Sequence, residues 1–247
     1  MAGGAAKHIA ITGAAGGIGA ALVRRFLALG WRVAGIDRAP FADDATAAPG
    51  FRALAADVTD EQAMEDAFAA AAADAPLGAV IANAAVTDID HHEALDLPYA
   101  TWQRVLRVNV DGAFVTARSA ARHMRATGGG NIVFVTSSLA MLDQARAGDA
   151  PYCTSKAAVE MLARVLAIEL APHGINVNTL FPSVMIDSGF FAHLTPHERA
   201  RLAPPSLLDE TAAFLAGLPA GAASGRALDQ KRWDGDAAYR AAWEALR

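Results

Sequence analysis

The chain lacks the sequence features that mark secreted, membrane-bound and nucleic-acid-binding proteins. Cys153 is the only cysteine among 247 residues, which excludes a disulfide framework and a cysteine-based zinc site within one chain. Lys and Arg number 21 against 26 Asp and Glu, and the net charge of −5 argues against a nucleic-acid partner and an electrostatic membrane anchor. No run of about 18 apolar residues is present, and residues 1–7 lack the apolar core of a signal peptide. We therefore predict a soluble, cytoplasmic protein.

Apolar sequence, in contrast, is abundant. Hydrophobic residues make up 53% of the chain and charged residues 19%, which is a globular composition and not a disordered one. The length fits one large α/β domain. Because no internal repeat or linker divides the chain, we predict a single domain that spans residues 1–247.

A glycine-rich stretch lies between a predicted strand and a predicted helix near the start of the chain. The apolar run 8–12 leads into residues 13–19 (GAAGGIG), and helical periodicity follows from Ala20 to Leu29. In this context glycines let the backbone approach a pyrophosphate, and the helix N-terminus supplies N–H donors. The stretch predicts a phosphate-binding turn, with a flexible glycine loop as the alternative.

An acidic residue closes the second predicted strand, which covers residues 31–36. Asp37 is placed to bind both ribose hydroxyls of an adenosine and would repel a 2′-phosphate. It therefore predicts NAD in preference to NADP, although the adjacent Arg38 offers a partner for a phosphate. The structural alternative is an ordinary turn aspartate at a strand end.

Strand and helix patterns alternate along the chain. Further strands are predicted at 51–56, 79–82, 131–136, 175–180 and 225–228. This alternation predicts a Rossmann-type, doubly wound parallel sheet with helices on both faces. Ligands of such sheets bind at the carboxyl ends of the strands, where Gly13, Asp37, Asp57 and Asn83 all fall. Asp57 is placed there to meet an adenine amino group.

Tyr152 and Lys156 lie four residues apart at the start of a predicted helix that ends near Leu170. Residues at this spacing share one helix face. An ammonium near a phenol is expected to lower the phenol pKa from its usual value of about 10 and to make a general acid/base near neutral pH. The alternative is an ordinary surface pair.

Two segments interrupt the regular pattern. Asn109 lies inside the predicted helix 101–116, where Asn is a poor helix former. It indicates either a packing accident or a locally opened helix with a functional amide. The irregular segment 187–205 is predicted to be a flap over the substrate cleft, and its exposed Phe190 and Phe191 fit an oligomer contact equally well.

His91 and His92, with Asp88 and Asp90, have the residue types of a metal site. A solvated loop has the same composition and is the favoured interpretation. We therefore predict no metal site in the chain.

These motifs together resemble those of the short-chain dehydrogenase/reductase family, in the branch whose members have about this length. The matching residues are, in chain order, Gly13-x-x-x-Gly17-x-Gly19, Asn83-Ala84-Ala85, Asn109, Ser138, Tyr152 and Lys156. The resemblance covers residues 7–186 strongly and 206–235 loosely. Two positions depart from the family pattern: the usual Pro-Gly is Pro182-Ser183, and a usual Thr aligns with Asp187, where an acid near a pyrophosphate is unfavourable.

The resemblance implies hydride transfer between the nicotinamide C4 and a carbinol or carbonyl carbon. Tyr152 would move the proton, Lys156 would lower the Tyr152 pKa and hold the nicotinamide ribose, and Asn109 would place a water linking Lys156 to solvent. Ser138 would hydrogen-bond the substrate oxygen; it is chosen over Ser137 because the second serine of such a pair is usually catalytic in the family. The implied cofactor-binding residues are Gly13, Gly17, Ile18, Gly19, Asp37, Asp57, Val58, Asn83, Ala84, Tyr152, Lys156 and Pro182.

The leading prediction is an NAD-dependent alcohol dehydrogenase or ketoreductase acting on a secondary alcohol or ketone. The alternatives are an NADPH-dependent biosynthetic ketoreductase and a catalytically impaired dinucleotide-binding sensor or scaffold. Family members commonly assemble through their long helices, here about 101–125 and 152–171, so a homotetramer or dimer is expected. The predicted pocket walls are Leu139, Met141, Leu142, Phe190, Phe191 and Leu194, with polar contacts from Asp143, Gln144, Arg146 and His193.

Overall fold

A computed structural model describes residues 7–42, 47–191 and 193–246, without the side chain of Leu142. The expectations for residues 1–6 and for the Leu142 side chain as a pocket wall fall outside this range.

One parallel sheet forms the centre of the described structure, with the strand order β3-β2-β1-β4-β5-β6-β7. Its strands are β1 (His8–Thr12), β2 (Arg32–Asp37), β3 (Phe51–Ala55), β4 (Ala79–Ala82), β5 (Gly130–Val135), β6 (Ile175–Phe181) and β7 (Ala227–Asp229). From the central neighbours β1 and β4, the strand numbers increase toward both edges of the sheet. A ligand crevice is expected above the carboxyl ends of these two strands, because the strand order reverses there.

Helices connect β1 to β2 and each consecutive pair of strands from β3 to β7, and they cover both faces of the sheet, so the predicted fold class is confirmed. They are α1 (Gly17–Ala28), α2 (Glu61–Asp74), α3 (Tyr99–Leu106), α4 (Gly112–Thr127), α5 (Ala150–Leu170), α6 (Pro196–Arg199), α7 (Asp209–Ala216), α8 (Gln230–Gly235) and α9 (Ala237–Glu244). No helix in the described ranges combines the length and apolarity that a membrane crossing needs.

Two apolar cores hold the layers together, one on each face of the sheet. On one face α2, α4 and α5 contribute Phe68, Met124 and Val159, all nearly inaccessible to solvent. On the other face α1 and α7 contribute Phe26 and Leu215, and the two C-terminal helices complete the layer. Burial on both sides explains why β1 and β4 are continuous apolar runs without the alternation of a half-exposed sheet.

Candidate active site

A cavity of about 1030 Å³ lies over the carboxyl ends of the central strands. This is where a doubly wound parallel sheet binds its ligands. Most of the residues predicted from the sequence line it, namely Gly13, Gly17, Ile18, Asp37, Asp57, Val58, Asn83, Ala84, Ser138, Tyr152, Lys156 and Pro182. Gly19 and Asn109 are not among the lining residues, and both are buried behind the cavity wall.

The glycine turn between β1 and α1 is shaped by three glycines. Gly13 and Gly17 have φ angles of +66° and +51°, in the left-handed region that favours glycine. A Cβ on Gly19 would lie 2.0 Å from the Gly13 carbonyl oxygen, which no side chain permits. The first turn of α1 contains no acidic residue, and its N-cap makes no side-chain hydrogen bond. The N–H groups at this helix end are thus available to an anion, and the turn fits a pyrophosphate.

Asp37 and Arg38 stand at the far end of the cavity. The Asp37 carboxylate accepts hydrogen bonds from the N–H groups of Ala15 and Ala39, both at 2.9 Å, and it is thereby fixed beside the glycine turn. The Arg38 guanidinium pairs with Asp57 at 3.7 Å. Burial opposes ionisation of Asp57, but hydrogen bonds from Thr59 and the charge of Arg38 bring its pKa below the ordinary value. Arg38 is therefore already engaged by a carboxylate.

Asn83 ties the end of β4 to the glycine turn. Its side-chain nitrogen donates to the carbonyl oxygens of Thr12 and Gly13, at 3.0 and 3.2 Å. Its backbone N–H donates to the Thr12 hydroxyl at 3.2 Å. The two strand ends that flank the crevice are thus held in register by one amide side chain.

Asn109 lies in a π-helical turn, Arg107–Asp111, that joins α3 to α4. The locally opened helix that was one interpretation of its sequence position is confirmed. Its buried side chain accepts from the Val86 N–H at 2.8 Å and donates to the Val86 carbonyl and the Ser155 hydroxyl, both at 2.9 Å. Because these bonds occupy the amide, the side chain braces α5 against the segment after β4 instead of reaching the cavity.

Tyr152 interacts with a serine, and that serine is Ser137, whose hydroxyl favours the ionised form of the phenol. Burial raises the pKa of the Tyr152 phenol to about 12, and the charge of Asp149 acts in the same direction, while the Ser137 hydroxyl opposes both. The sequence predicted a lowered pKa, so the direction is the opposite. The reason is that burial of the phenol disfavours its charged form more than the Ser137 hydroxyl favours it.

Lys156 is buried beneath Tyr152. Its Nζ donates to the Val135 carbonyl at 2.9 Å and lies 5.7 Å from the centre of the Tyr152 ring. Burial lowers the Lys156 pKa to about 8, and the nearby Glu160 carboxylate opposes that shift. Glu160, itself buried, accepts hydrogen bonds from the Thr136 and Thr179 hydroxyls at 2.6 and 3.1 Å.

Sequence reasoning overlooked Glu160, although a signal was present. It is the single acid in the apolar run 157–163 and lies four residues after Lys156 on the same helix face. An isolated acid in such a run is expected to be buried with a partner.

Asp187, whose charge was expected to disturb the cofactor site, faces Arg199. The guanidinium donates from Nε and Nη2 to the two carboxylate oxygens at 2.8 and 3.1 Å, so the acid is neutralised. The next residue, Ser188, lines the cavity instead and lies against Gly17, where an added Cβ would meet the Ser188 Cβ at 3.3 Å. Sequence reasoning also overlooked Ser188.

A backbone bridge between Ile186 and Ala203 joins the two ends of the segment 187–205. Phe190 packs edge-on against the Tyr152 ring, with 5.9 Å between ring centres. Phe190 and Phe191 both line the cavity, as do Leu139 and Arg146 among the other predicted pocket residues. The remaining described members of that set, Met141, Asp143, Gln144, His193 and Leu194, are not lining residues.

Asp88, Asp90 and His92 place candidate ligand atoms within 4.8 Å of one another. Asp88 is buried, contrary to the expectation of a solvated loop, and it accepts hydrogen bonds from the backbone N–H groups of Asp90 and His92 and contacts the His92 ring. Burial opposes ionisation of Asp88, but these contacts bring its pKa below the ordinary value. These contacts join residues within the loop 88–92 and hold its conformation.

Known proteins of similar sequence and structure agree with this architecture. A family model described as short chain dehydrogenase matches residues 7–199. Galactitol 2-dehydrogenase (L-tagatose-forming) of Cereibacter sphaeroides is 41% identical over 177 residues, covering 70% of this chain and 69% of the relative. Cis-4-hydroxycyclohexanecarboxylate dehydrogenase of Sinomonas cyclohexanicum is 37% identical over 229 residues, covering 85% and 90%. The crystal structure of a 3-ketoacyl-(acyl-carrier-protein) reductase from Brucella melitensis with NADH is 28% identical, with a TM-score of 0.78 and coverage of 90% and 96%.

Proposed function

The chain belongs to the short-chain dehydrogenase family, and on that premise we propose that it is an NAD-dependent oxidoreductase for a secondary alcohol or ketone. The observation that carries the proposal is the contact of Tyr152 with Ser137 above Lys156, in the cavity that begins at the glycine turn. Residues 1–247 form one domain in this proposal, with 187–205 as the flap over the substrate, and the location is cytoplasmic.

The protein side of the reaction is proton transfer and positioning. A nicotinamide cofactor, when bound, would supply or accept the hydride. The raised pKa of Tyr152 keeps its phenol protonated at neutral pH, so in reduction the phenol would donate its proton to the carbonyl oxygen. In oxidation the Tyr152 phenolate would accept the proton of the carbinol. Lys156 holds the nicotinamide ribose, and Asn109 positions α5. The proposed holders of the rest of the cofactor are Gly13, Gly17, Ile18, Gly19, Asp37, Asp57, Val58, Asn83, Ala84, Pro182 and, newly, Ser188.

The overall proposal is tested by initial rates of NADH formation over a panel of secondary alcohols, with NAD and NADP compared at equal concentration. We expect turnover that is faster with NAD. Turnover only with NADPH and ketones would favour the biosynthetic ketoreductase, and tight NADH binding without any turnover would favour the sensor or scaffold.

We propose Ser137, in place of Ser138, as the hydroxyl that binds the substrate oxygen, because Ser137 is the serine that acts on the Tyr152 phenol and both residues line the cavity. Ser137→Ala is expected to lower kcat by about 10- to 100-fold, the loss of one hydrogen bond to a developing charge. Ser138→Ala is the matched control and is expected to lower kcat by less. A larger loss of kcat in Ser138→Ala than in Ser137→Ala would restore the sequence-based assignment to Ser138.

Asp37 supports the proposed preference for NAD, since its fixed carboxylate would meet a 2′-phosphate with like charge. Asp37→Ser is expected to reduce the ratio of kcat/KM for NAD to that for NADP by about 10-fold or more. The rates with NADP are the internal control, because a merely damaged turn would weaken both cofactors alike. An unchanged ratio would remove Asp37 from the ribose site.

The proposed assembly is a homotetramer or dimer that uses the exposed side of α5. Met161, Val165 and Ile168 are 57%, 44% and 78% exposed at helical spacing, which is unusual for large apolar side chains on one face. Light scattering in solution should give a multiple of the 25.6 kDa chain mass. A mass of one chain at micromolar concentration would contradict this assembly.

A further inference from the structure

The proposed chemistry does not use a buried acid that lies near Tyr152. Asp149 is 2% exposed and lies three residues before Tyr152, at the start of α5. Its Oδ1 contacts the His91 Nδ1 at 2.9 Å, and its Oδ2 accepts a hydrogen bond from the Arg146 Nε. Asp149, His91 and Arg146 all line the cavity that contains Tyr152. These three side chains form what we call the Asp149 cluster.

The backbone holds the Asp149 cluster in place before any ligand binds. Within the described ranges, His91 is the one non-glycine residue with a positive φ, 52°. Gly148 has a φ of +78°, and a Cβ there would lie 2.6 Å from the His91 carbonyl oxygen. The two loops that carry the cluster are therefore in direct contact, so the imidazole and the guanidinium have a fixed spacing.

The atoms of the cluster that stay unbonded are one acceptor and several donors. A carboxylate only accepts, so His91 donates from Nδ1, and its Nε2 carries a lone pair in the neutral ring. Arg146 uses Nε, which leaves the N–H groups of Nη1 and Nη2. None of these three atoms has a hydrogen bond within the described part of the chain, and the two side chains are 45% and 50% exposed.

This combination matches a neutral hydroxyl better than an anion. A hydroxyl donates to His91 Nε2 and accepts from Arg146, whereas a carboxylate has no proton to donate. The charge of Arg146 is already balanced by Asp149. Arg201, the other arginine guanidinium on the substrate side of the lining, contacts only His197 among described residues, and it is the feature that would favour an anion.

We propose that His91 and Arg146, held by Asp149, form a subsite for a second hydroxyl, and that the enzyme therefore prefers polyols to simple secondary alcohols. The inference rests on the proposed function, because it concerns the substrate of the same site. Recognition of one hydroxyl by a neutral acceptor and a charged donor is expected to raise kcat/KM by about 10- to 100-fold.

The test uses four alcohols that share the CH₃–CH(OH)– group: 2-butanol, 1,3-butanediol, 2,3-butanediol and 3-hydroxybutyrate. For the wild-type enzyme with NAD, at least one diol should exceed 2-butanol in kcat/KM by about 10-fold or more. His91→Asn removes the imidazole while keeping a residue that tolerates positive φ, and Arg146→Gln removes the guanidinium. Each substitution should bring the ratio of kcat/KM for the diol to kcat/KM for 2-butanol close to one, mainly by raising the KM for the diol.

His92→Asn is the matched control, because the His92 ring contacts Asp88 and does not line the cavity; its ratio should equal that of the wild type. A ratio near one in the wild type, or a ratio unchanged by both substitutions, would overturn the proposal. A preference for 3-hydroxybutyrate that Arg146→Gln abolishes would replace the polyol subsite by an anion subsite.

A readout independent of turnover separates this proposal from the proposed function. In the NMR spectrum of histidine side chains, the signal that disappears in His91→Asn should shift on addition of the preferred diol and not of 2-butanol. A diol that shifts this signal without being oxidised would contradict the proposed function alone. Oxidation of the diol without any shift of the His91 signal would contradict the subsite alone.

Discussion

Tyr152→Phe is expected to lower kcat by about 10²- to 10⁴-fold, the range over which a positioned general acid or base acts. Only one oxygen atom is removed, and the ring keeps its edge-on contact with Phe190. The glycine turn and Asp37 are untouched, so NADH should bind with nearly the wild-type affinity. Steady-state kinetics and a fluorescence titration with NADH measure the two quantities separately.

Tyr99→Phe is the matched control for this substitution, because Tyr99 is 71% exposed on α3 and does not line the cavity. It should leave both quantities unchanged. If Tyr152→Phe kept kcat within about three-fold of the wild type, proton transfer would have to pass through another group, and the assignment of Tyr152 would be wrong.

The pKa values explain why Tyr152 needs its neighbours. With a pKa of about 12 the phenol is suited to donate a proton, as reduction requires, but it is a poor base at neutral pH. Oxidation requires additional positive charge near the phenolate. Lys156 is placed to contribute it, and the Glu160 carboxylate favours the charged form of that lysine.

Much of the fold was readable from local patterns. Apolar runs that end in glycine or acidic residues predicted the strands, because a sheet covered on both faces makes its strands continuously apolar. The edge that carries the site followed from the alternation of strands and helices, since parallel strands bring all their carboxyl ends to one edge. The π-helical turn around Asn109 was predicted only as one of two possibilities, because a poor helix former is tolerated wherever its side chain finds partners.

The details of the site depended on contacts that the sequence does not encode locally. Which of Ser137 and Ser138 faces Tyr152 depends on the direction of the chain just after β5. The Tyr152 pKa depends on how completely the phenol is desolvated. The contact between Asp149 and His91 joins residues 58 positions apart, and no spacing rule predicts it.

Gly19→Ala is expected to disrupt the cofactor site from behind its wall. The added methyl group would lie 2.0 Å from the Gly13 carbonyl oxygen and 2.9 Å from the Ala14 Cα, so α1 and the turn must separate. Such overpacking usually costs about 1–3 kcal/mol of folding free energy. Because the pyrophosphate site is formed by the same backbone atoms, NADH affinity should fall by about 10²-fold or more.

Gly16→Ala is the control for this prediction, since it adds the same methyl group to the same turn. Gly16 has an extended φ of −153°, and a Cβ there would meet no atom within 4 Å. Thermal unfolding should therefore separate the two variants, with Gly16→Ala close to the wild type in stability. Because Gly16 lines the cavity, its added methyl group also reports on the ligand itself, and NADH affinity should fall further in Gly19→Ala than in Gly16→Ala. Equal NADH affinity in the two variants would mean that the turn can open by about an ångström without loss of the ligand. The close packing of Gly13 against Gly19 would then not determine the shape of the site.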